Sequence, residues 1–81
     1  MISYRIKRVG EDVVLSVWEN GFEQSVKMPE QVFMDIVEDV EQMPEVHGYP
    51  VALDVEGDRV ELPYEELLKL RSTLRIQSLP N

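Results

Sequence analysis

Cysteine is absent from this 81-residue chain, which excludes disulfides, thiol nucleophiles and thiolate metal ligands. Long apolar runs are absent as well, and none approaches the roughly 20 residues that a membrane-spanning helix requires. The chain goes from Met1 straight into a strand-like alternation, without the basic and then apolar order of a signal peptide. We therefore expect a cytoplasmic protein that does not associate with membranes.

Basic residues are scarce, with eight Lys and Arg against sixteen Asp and Glu, for a net charge of −8. The deficit is local. Residues 29–68 hold twelve acids and one base, Arg59, whereas residues 1–28 are balanced. Such a charge disfavours binding to nucleic acid or anionic lipid and allows basic proteins or divalent cations as partners.

The length and an apolar fraction of 43% predict one small folded domain spanning residues 1–81. Its first part alternates apolar and polar residues over 2–8, 13–18 and 22–28, which indicates three strands. Asn20-Gly21 is a strong hairpin signal, and Gly10-Glu11 marks a second turn. The two turns predict an antiparallel meander in which Tyr4, Val17 and Gln24 are aligned.

This register separates the meander into two faces, and a slip of one residue would mix them. One face is apolar and consists of Tyr4, Ile6, Val13, Leu15, Val17, Val26 and Met28. The other face is polar and consists of Ser3, Arg5, Lys7, Val14, Ser16, Trp18, Glu23, Ser25 and Lys27.

Helical periodicity follows Pro29, because apolar residues recur every three or four positions from Val32 to Val40, giving a helix to about Met43. Residues 51–62 predict a second hairpin whose turn is either 56–57 or 57–58. Pro63 starts a second helix, and residues 73–78 form either a last short strand or its continuation. The predicted fold is therefore α+β: a three-stranded meander, a helix, a hairpin and a second helix.

The two halves share one order of residues at the strand-to-helix junction: apolar, charged, apolar, proline. This order occurs at residues 26–29 and again at residues 60–63. The simpler explanation is two unrelated helices that each start at a proline, and a ββα pseudo-repeat is the alternative.

The first candidate site is an acidic stripe on the first helix. Asp35, Glu38 and Asp39 have the spacing of one helical face, and Glu41 flanks them. Acids in a last helical turn oppose the helix dipole, and such local conflicts are enriched at functional sites. The stripe is either a docking surface for a basic partner or a solvated face.

The second candidate is a divalent-cation site at Asp54, Glu56 and Asp58. Carboxylates on alternate residues around Gly57 are similar to the start of a calcium-binding loop, because Ca²⁺ prefers several oxygen ligands from a flexible backbone. The glycine is in the wrong position for an EF-hand. An ordinary exposed hairpin explains the same pattern, so only weak Ca²⁺ or Mg²⁺ binding is considered.

The third candidate is the polar face of the meander, where Arg5, Lys7 and Lys27 surround Trp18. Basic residues beside an aromatic are typical of single-strand nucleic-acid platforms, but one aromatic on an acidic chain argues against that function. We expect either the second helix or a partner subunit to cover Val14 and Trp18, and the latter would make a homodimer.

Catalysis is poorly supported. His47 is the only histidine and lies in a Pro/Gly-rich loop, where we expect a solvated side chain. No nucleophile or zinc-protease motif accompanies it. The sequence thus favours a noncatalytic, adaptor- or inhibitor-like interaction module that binds a basic protein surface, without a cofactor. A divalent-cation-binding domain and a homodimeric structural domain are the alternatives.

Overall fold

The computed structural model describes residues 1–78, which form two small antiparallel sheets and two helices. The elements are β1 (Ile2–Val9), β2 (Asp12–Glu19), β3 (Phe22–Pro29), α1 (Glu30–Glu41), a short 3₁₀ turn (Pro44–Val46), β4 (Val51–Val55), β5 (Asp58–Leu62) and α2 (Tyr64–Gln77). This is the predicted α+β order. Neither helix has the length and hydropathy needed to span a bilayer.

The meander has the predicted register. Tyr4 pairs with Val17, which pairs with Gln24, and Ile6 pairs with Leu15, which pairs with Val26. The Gly10-Glu11 turn has positive φ at its glycine, and the Asn20-Gly21 turn has positive φ at both residues (54° and 83°). These are the conformations that join two strands without disturbing their right-handed twist.

The second hairpin forms a separate two-stranded sheet, β4–β5, which packs beside β3. Val55 pairs with Asp58, so the two turn residues are Glu56 and Gly57. Both have positive φ (50° and 91°). The turn left open by the sequence is thus 56–57.

Both helices follow a proline in an extended conformation, with φ/ψ of −56°/141° at Pro29 and −62°/151° at Pro63. Each proline therefore immediately precedes the first helical residue. The prediction that α1 reaches about Met43 is two residues too long, because Pro44 disfavours helical geometry at the residue before it.

Residues 73–77 continue α2 and do not form a strand. Leu67, Leu70 and Leu74 lie at helical spacing and are all buried, whereas Ile76, the apparent alternating partner of Leu74, is exposed. Helical periodicity thus takes precedence over a short apparent alternation at the end of the chain.

The core lies between the apolar face of the meander, the two helices and the second hairpin. Its fully buried side chains are Phe33, Leu15, Leu62, Leu67, Leu74, Val13, Val26, Val37 and Val60. Because both helices contribute to this one cluster, they pack on the same side of the meander. The expectation that α2 covers Val14 and Trp18 is wrong, since those residues point to the other side.

Candidate functional site

The acidic stripe lies on the solvent-facing side of α1. Phe33, Val37 and Val40 bury the opposite side of the helix, which leaves Asp35, Glu38 and Asp39 exposed. Asp35 accepts a hydrogen bond from the Gln31 amide at 2.9 Å. Among residues 1–78, no cation lies within 4 Å of these three carboxylates.

Glu41, the fourth predicted residue of the stripe, has a different role. Its carboxylate accepts two hydrogen bonds from the Arg71 guanidinium of α2, at 3.2 and 3.0 Å. These hydrogen bonds, and secondarily the Arg71 charge, lower the pKa of Glu41. Glu41 therefore joins the two helices. The exposed acidic surface consists of Asp35, Glu38 and Asp39, and we call these three residues the α1 acidic face.

Six of the sixteen acids form ion pairs within residues 1–78. The described part of the chain contains six ion pairs: Arg8–Glu30, Lys27–Asp12, Arg59–Asp54, Arg59–Glu61, Lys69–Glu66 and Arg71–Glu41. The pairs made by Arg8 and Arg71 connect different elements. The last turn of α1 contains no base of its own. The three residues of the α1 acidic face belong to the ten acids that make no ion pair within residues 1–78, and they are adjacent on one helix.

One half-exposed apolar side chain lies within this surface. Val32 is 43% exposed and precedes Asp35 by three residues and Asp39 by seven, so it lies on the same side of α1. Ile36, the next residue along its row, is partly buried against the core. The surface therefore combines three carboxylates with a small apolar contact point.

The structure separates the three residues of the predicted cation site. Asp54 lies opposite Arg59, whose guanidinium is 3.0 Å from the Asp54 carboxylate. Asp58 lies opposite Val55, on the other face of the hairpin. Residues 1–78 contain no group of three Asp, Glu or His side chains arranged to hold a metal ion. The two-residue turn at 56–57 is the reason, because it pairs Asp58 with Val55 and so places Asp58 on the face opposite to that of Asp54.

The polar face of the meander is open to solvent. Trp18 is 41% exposed, and Val14 and Ser16 are partly buried between their strand neighbours. Lys27 pairs loosely with Asp12 at 3.7 Å. A depression of about 390 Å³ lies over the centre of this face and is lined by Arg5, Ile6, Lys7, Val14, Ser16, Trp18 and Glu23.

His47 is packed within the fold, and the expectation of a solvated side chain is wrong. Its ring stacks on that of Tyr64, with a centroid distance of 3.7 Å and an interplanar angle of 10°. Its Nε2–H donates to the Val40 carbonyl oxygen at 2.7 Å. The side chain thus connects the last turn of α1 to the first residue of α2. No local pattern in the sequence indicates this contact.

Comparison of the chain with protein-family models, with curated proteins and with solved structures found no match.

Proposed function

We propose that this protein is a noncatalytic interaction module that binds a basic protein surface through the α1 acidic face. One observation carries the proposal: Asp35, Glu38 and Asp39 are adjacent, exposed and without a cation partner in residues 1–78. A basic partner would supply the missing countercharges.

The position of these acids within the helix supports a binding role. Glu38 and Asp39 lie in the last turn of α1, where the helix dipole presents partial negative charge. Carboxylates there destabilise the helix slightly, and Asp35 and Asp39 repel each other at i, i+4 spacing. Glu41 in the same turn is compensated by Arg71. A surface used only for solubility gains nothing from concentrating uncompensated acids at this end.

The exposed Val32 supports a protein as the partner. Protein interfaces bury a centre that is more apolar than the polar rim around it. Val32 lies beside the three carboxylates and provides a small contact of this kind. The carboxylates then contribute to orientation and association rate, which makes binding sensitive to salt.

The test compares two doubly substituted variants with equal changes in charge. Glu38→Lys/Asp39→Lys inverts the α1 acidic face, and Glu45→Lys/Glu56→Lys changes two exposed acids elsewhere that also have no ion-pair partner in residues 1–78. Proteins retained by the wild type and released by salt are identified, and the dissociation constant of the purified partner is measured with all three proteins.

We expect the face variant to bind at least about tenfold more weakly and the control within about twofold of wild type. Equal losses in both variants would show that only net charge matters and would overturn the proposal. Unchanged binding in the face variant would overturn it as well. Thermal melts of each variant establish that the domain is folded.

Thermal melts with Ca²⁺ or Mg²⁺, against sodium chloride of matched ionic strength, test the divalent-cation alternative. A native-state ligand raises the melting temperature by mass action. A Ca²⁺-specific rise that is lost in Asp54→Asn/Asp58→Asn would support that alternative. We expect no specific rise, because Asp54 and Asp58 lie on opposite faces of the hairpin and Asp54 is paired with Arg59.

A further inference from the structure

Four rows of side chains cross the strands on the polar face of the meander. Val9, Asp12 and Pro29 form the row next to the Gly10-Glu11 turn, and the other three rows carry the contacts described below. The first row is Ser3, Trp18 and Glu23; the middle row is Arg5, Ser16 and Ser25; the last row is Lys7, Val14 and Lys27. Both helices pack on the other side, so residues 1–78 leave this face, which we call the outer sheet face, uncovered.

The outer sheet face is complementary to itself. A two-fold axis lying in the face along the middle row exchanges the first and last rows of two copies. Trp18 then meets the partner's Val14, and Glu23 meets the partner's Lys27. Each contact occurs twice, as in any isologous interface. Apolar thus meets apolar, and acid meets base.

We propose that two copies of this chain associate through the outer sheet face, with their strands approximately aligned and β2 of one copy over β2 of the other. Aligned sheets pack about 10 Å apart, with side chains from both faces interdigitating. The α1 acidic faces lie on the far sides of the two sheets and stay accessible to their own partners.

The depression over the outer sheet face provides space for the indole of the other copy. It is about 390 Å³ and lies between Trp18 and Val14, above Ser16. Ser16 and Ser25 are small and lie in the middle row, so they permit close approach at the axis. Trp18 of each copy thus fills the depression of the other, and tryptophan is among the residues most enriched at the centres of interfaces.

Lys27 is free to pair across this interface. Its distance of 3.7 Å from Asp12 makes that contact within the monomer a loose one. In the dimer its ammonium lies between Asp12 and the partner's Glu23. Arg5 lies in the middle row on the edge strand, so it faces Arg5 of the other copy. The two guanidinium groups repel each other, and water at the rim of the interface screens that repulsion.

The association is expected to be weak. Strands about 4.8 Å apart and about 3.3 Å long per residue give a three-stranded face of only about 10 by 25 Å. A face of that size is smaller than the roughly 800 Å² per partner of a stable interface, so the contact is transient and we expect a dissociation constant of about 10–100 µM. The dimer therefore forms or dissociates with concentration.

Sedimentation equilibrium from about 5 µM to about 1 mM tests the proposal, and these concentrations bracket the expected constant. Trp18 is the only tryptophan, so its emission should shift to shorter wavelength as the dimer forms. Trp18→Ser should weaken association at least about tenfold. Phe22→Ser is the matched control: Phe22 is 78% exposed at the same end of the meander, on the opposite face, and its loss should change association less than about twofold.

Exchanging the charges of Glu23 and Lys27 separates a specific contact between the two copies from the effect of net charge. Glu23→Lys should weaken association about fivefold or more, although it lowers the net negative charge and so reduces general repulsion. Lys27→Glu should weaken it similarly. The combined Glu23→Lys/Lys27→Glu variant restores the opposite-charge pairing and should recover most of the wild-type affinity. A monomeric mass at every concentration, or a combined variant no better than the single ones, would overturn the proposal.

Discussion

The His47 ring lies parallel to the Tyr64 ring, with 3.7 Å between the ring centroids. The same imidazole donates from Nε2 to the Val40 carbonyl at the end of α1, which also accepts a hydrogen bond from the Met43 N–H at 3.0 Å. A histidine in an irregular loop thus contacts the end of one helix while packing on the start of the next. This arrangement fixes the loop of residues 42–50 against α2.

A double-mutant cycle on His47 and Tyr64 should detect this contact. We expect His47→Ala and Tyr64→Ala each to destabilise the domain, with a coupling free energy of about 0.5–1.5 kcal/mol, typical of aromatic pairs. Urea unfolding followed by Trp18 fluorescence measures it. Tyr49→Ala in the same loop is the control, because that side chain is largely exposed and should change stability by less than about 0.5 kcal/mol. A coupling near zero would contradict the stacked geometry.

Acid should weaken two specific connections in the fold. Hydrogen bonds from Arg8 lower the pKa of Glu30, and those from Arg71 lower the pKa of Glu41, both from the ordinary value of 4.5. A carboxyl whose pKa is lower in the folded state contributes stability that is fully present above the unfolded value and is lost as the pH falls through the folded one. The melting temperature should therefore fall below about pH 4.5.

Two glutamine variants separate the protonation of these two ion pairs from the general decrease in repulsion between acids at low pH. Glu30→Gln/Glu41→Gln should be less stable than wild type at neutral pH, and its melting temperature should depend less steeply on pH below 4.5. Glu45→Gln/Glu56→Gln removes two acids that have no ion-pair partner in residues 1–78, and should keep the wild-type slope. Parallel curves for all three proteins would mean that neither ion pair titrates with folding.

The meander could be predicted in full because its register rests on two turns and one alternation. Asn20-Gly21 fixes Val17 opposite Gln24, and Gly10-Glu11 fixes Tyr4 opposite Val17. Each turn independently assigns the same residues to the core face, so the two predictions support each other. Turns and alternation are local, and a single sequence contains them.

The connections between elements could not be predicted in this way. Glu41 and Arg71 are 30 residues apart, and Arg8 and Leu74 are 66 apart. Which of sixteen acids meets which of eight bases depends on how the helices pack, and no local pattern encodes that choice. For the same reason, helical spacing predicts the acidic stripe on α1, but it does not predict that Glu41 pairs with Arg71. That pairing depends on the position of α2.

The second hairpin turn holds Glu56 in a strained backbone conformation, and a substitution should relieve that strain. Glu56 has a φ of 50°, in the left-handed region that residues with a side chain other than Asn or Asp adopt at a cost. The first hairpin has Asn20 in the equivalent position, with a φ of 54°. We therefore expect Glu56→Asn to raise the free energy of unfolding by about 1 kcal/mol. Asn20→Glu, which exchanges the residues in the opposite sense, should lower it by a similar amount. Denaturant unfolding of both variants measures the two changes, and equal signs would contradict the assigned turn geometry.

Inverting the α1 acidic face should stabilise the isolated domain. Lysines at positions 38 and 39 lie in the last helical turn, where cations interact favourably with the helix dipole. We expect Glu38→Lys/Asp39→Lys to raise the free energy of unfolding by about 0.5–1 kcal/mol at low salt, and less at high salt. Thermal melts at two ionic strengths measure it. A destabilised variant would mean that the two acids make contacts that stabilise the fold, which would weaken the case for a surface kept for binding.

One guanidinium holds three elements together, and only an arginine can do so. Arg8 on β1 forms a two-point contact with Glu30 at the start of α1, and its Nη2 also donates to the Leu74 carbonyl of α2 at 2.9 Å. The same nitrogen contacts the Ser78 hydroxyl. A lysine ammonium is a compact charge without the planar, forked set of donors, so Arg8→Lys keeps the charge and loses the geometry. We expect this variant to melt at a lower temperature and to exchange the amide hydrogens of the last turn of α2 faster.

Arg75→Lys is the control, because Arg75 is exposed on α2 and makes no ion pair within residues 1–78. If Arg8→Lys behaves like Arg75→Lys, charge alone holds these elements together, and the forked contact contributes nothing beyond it.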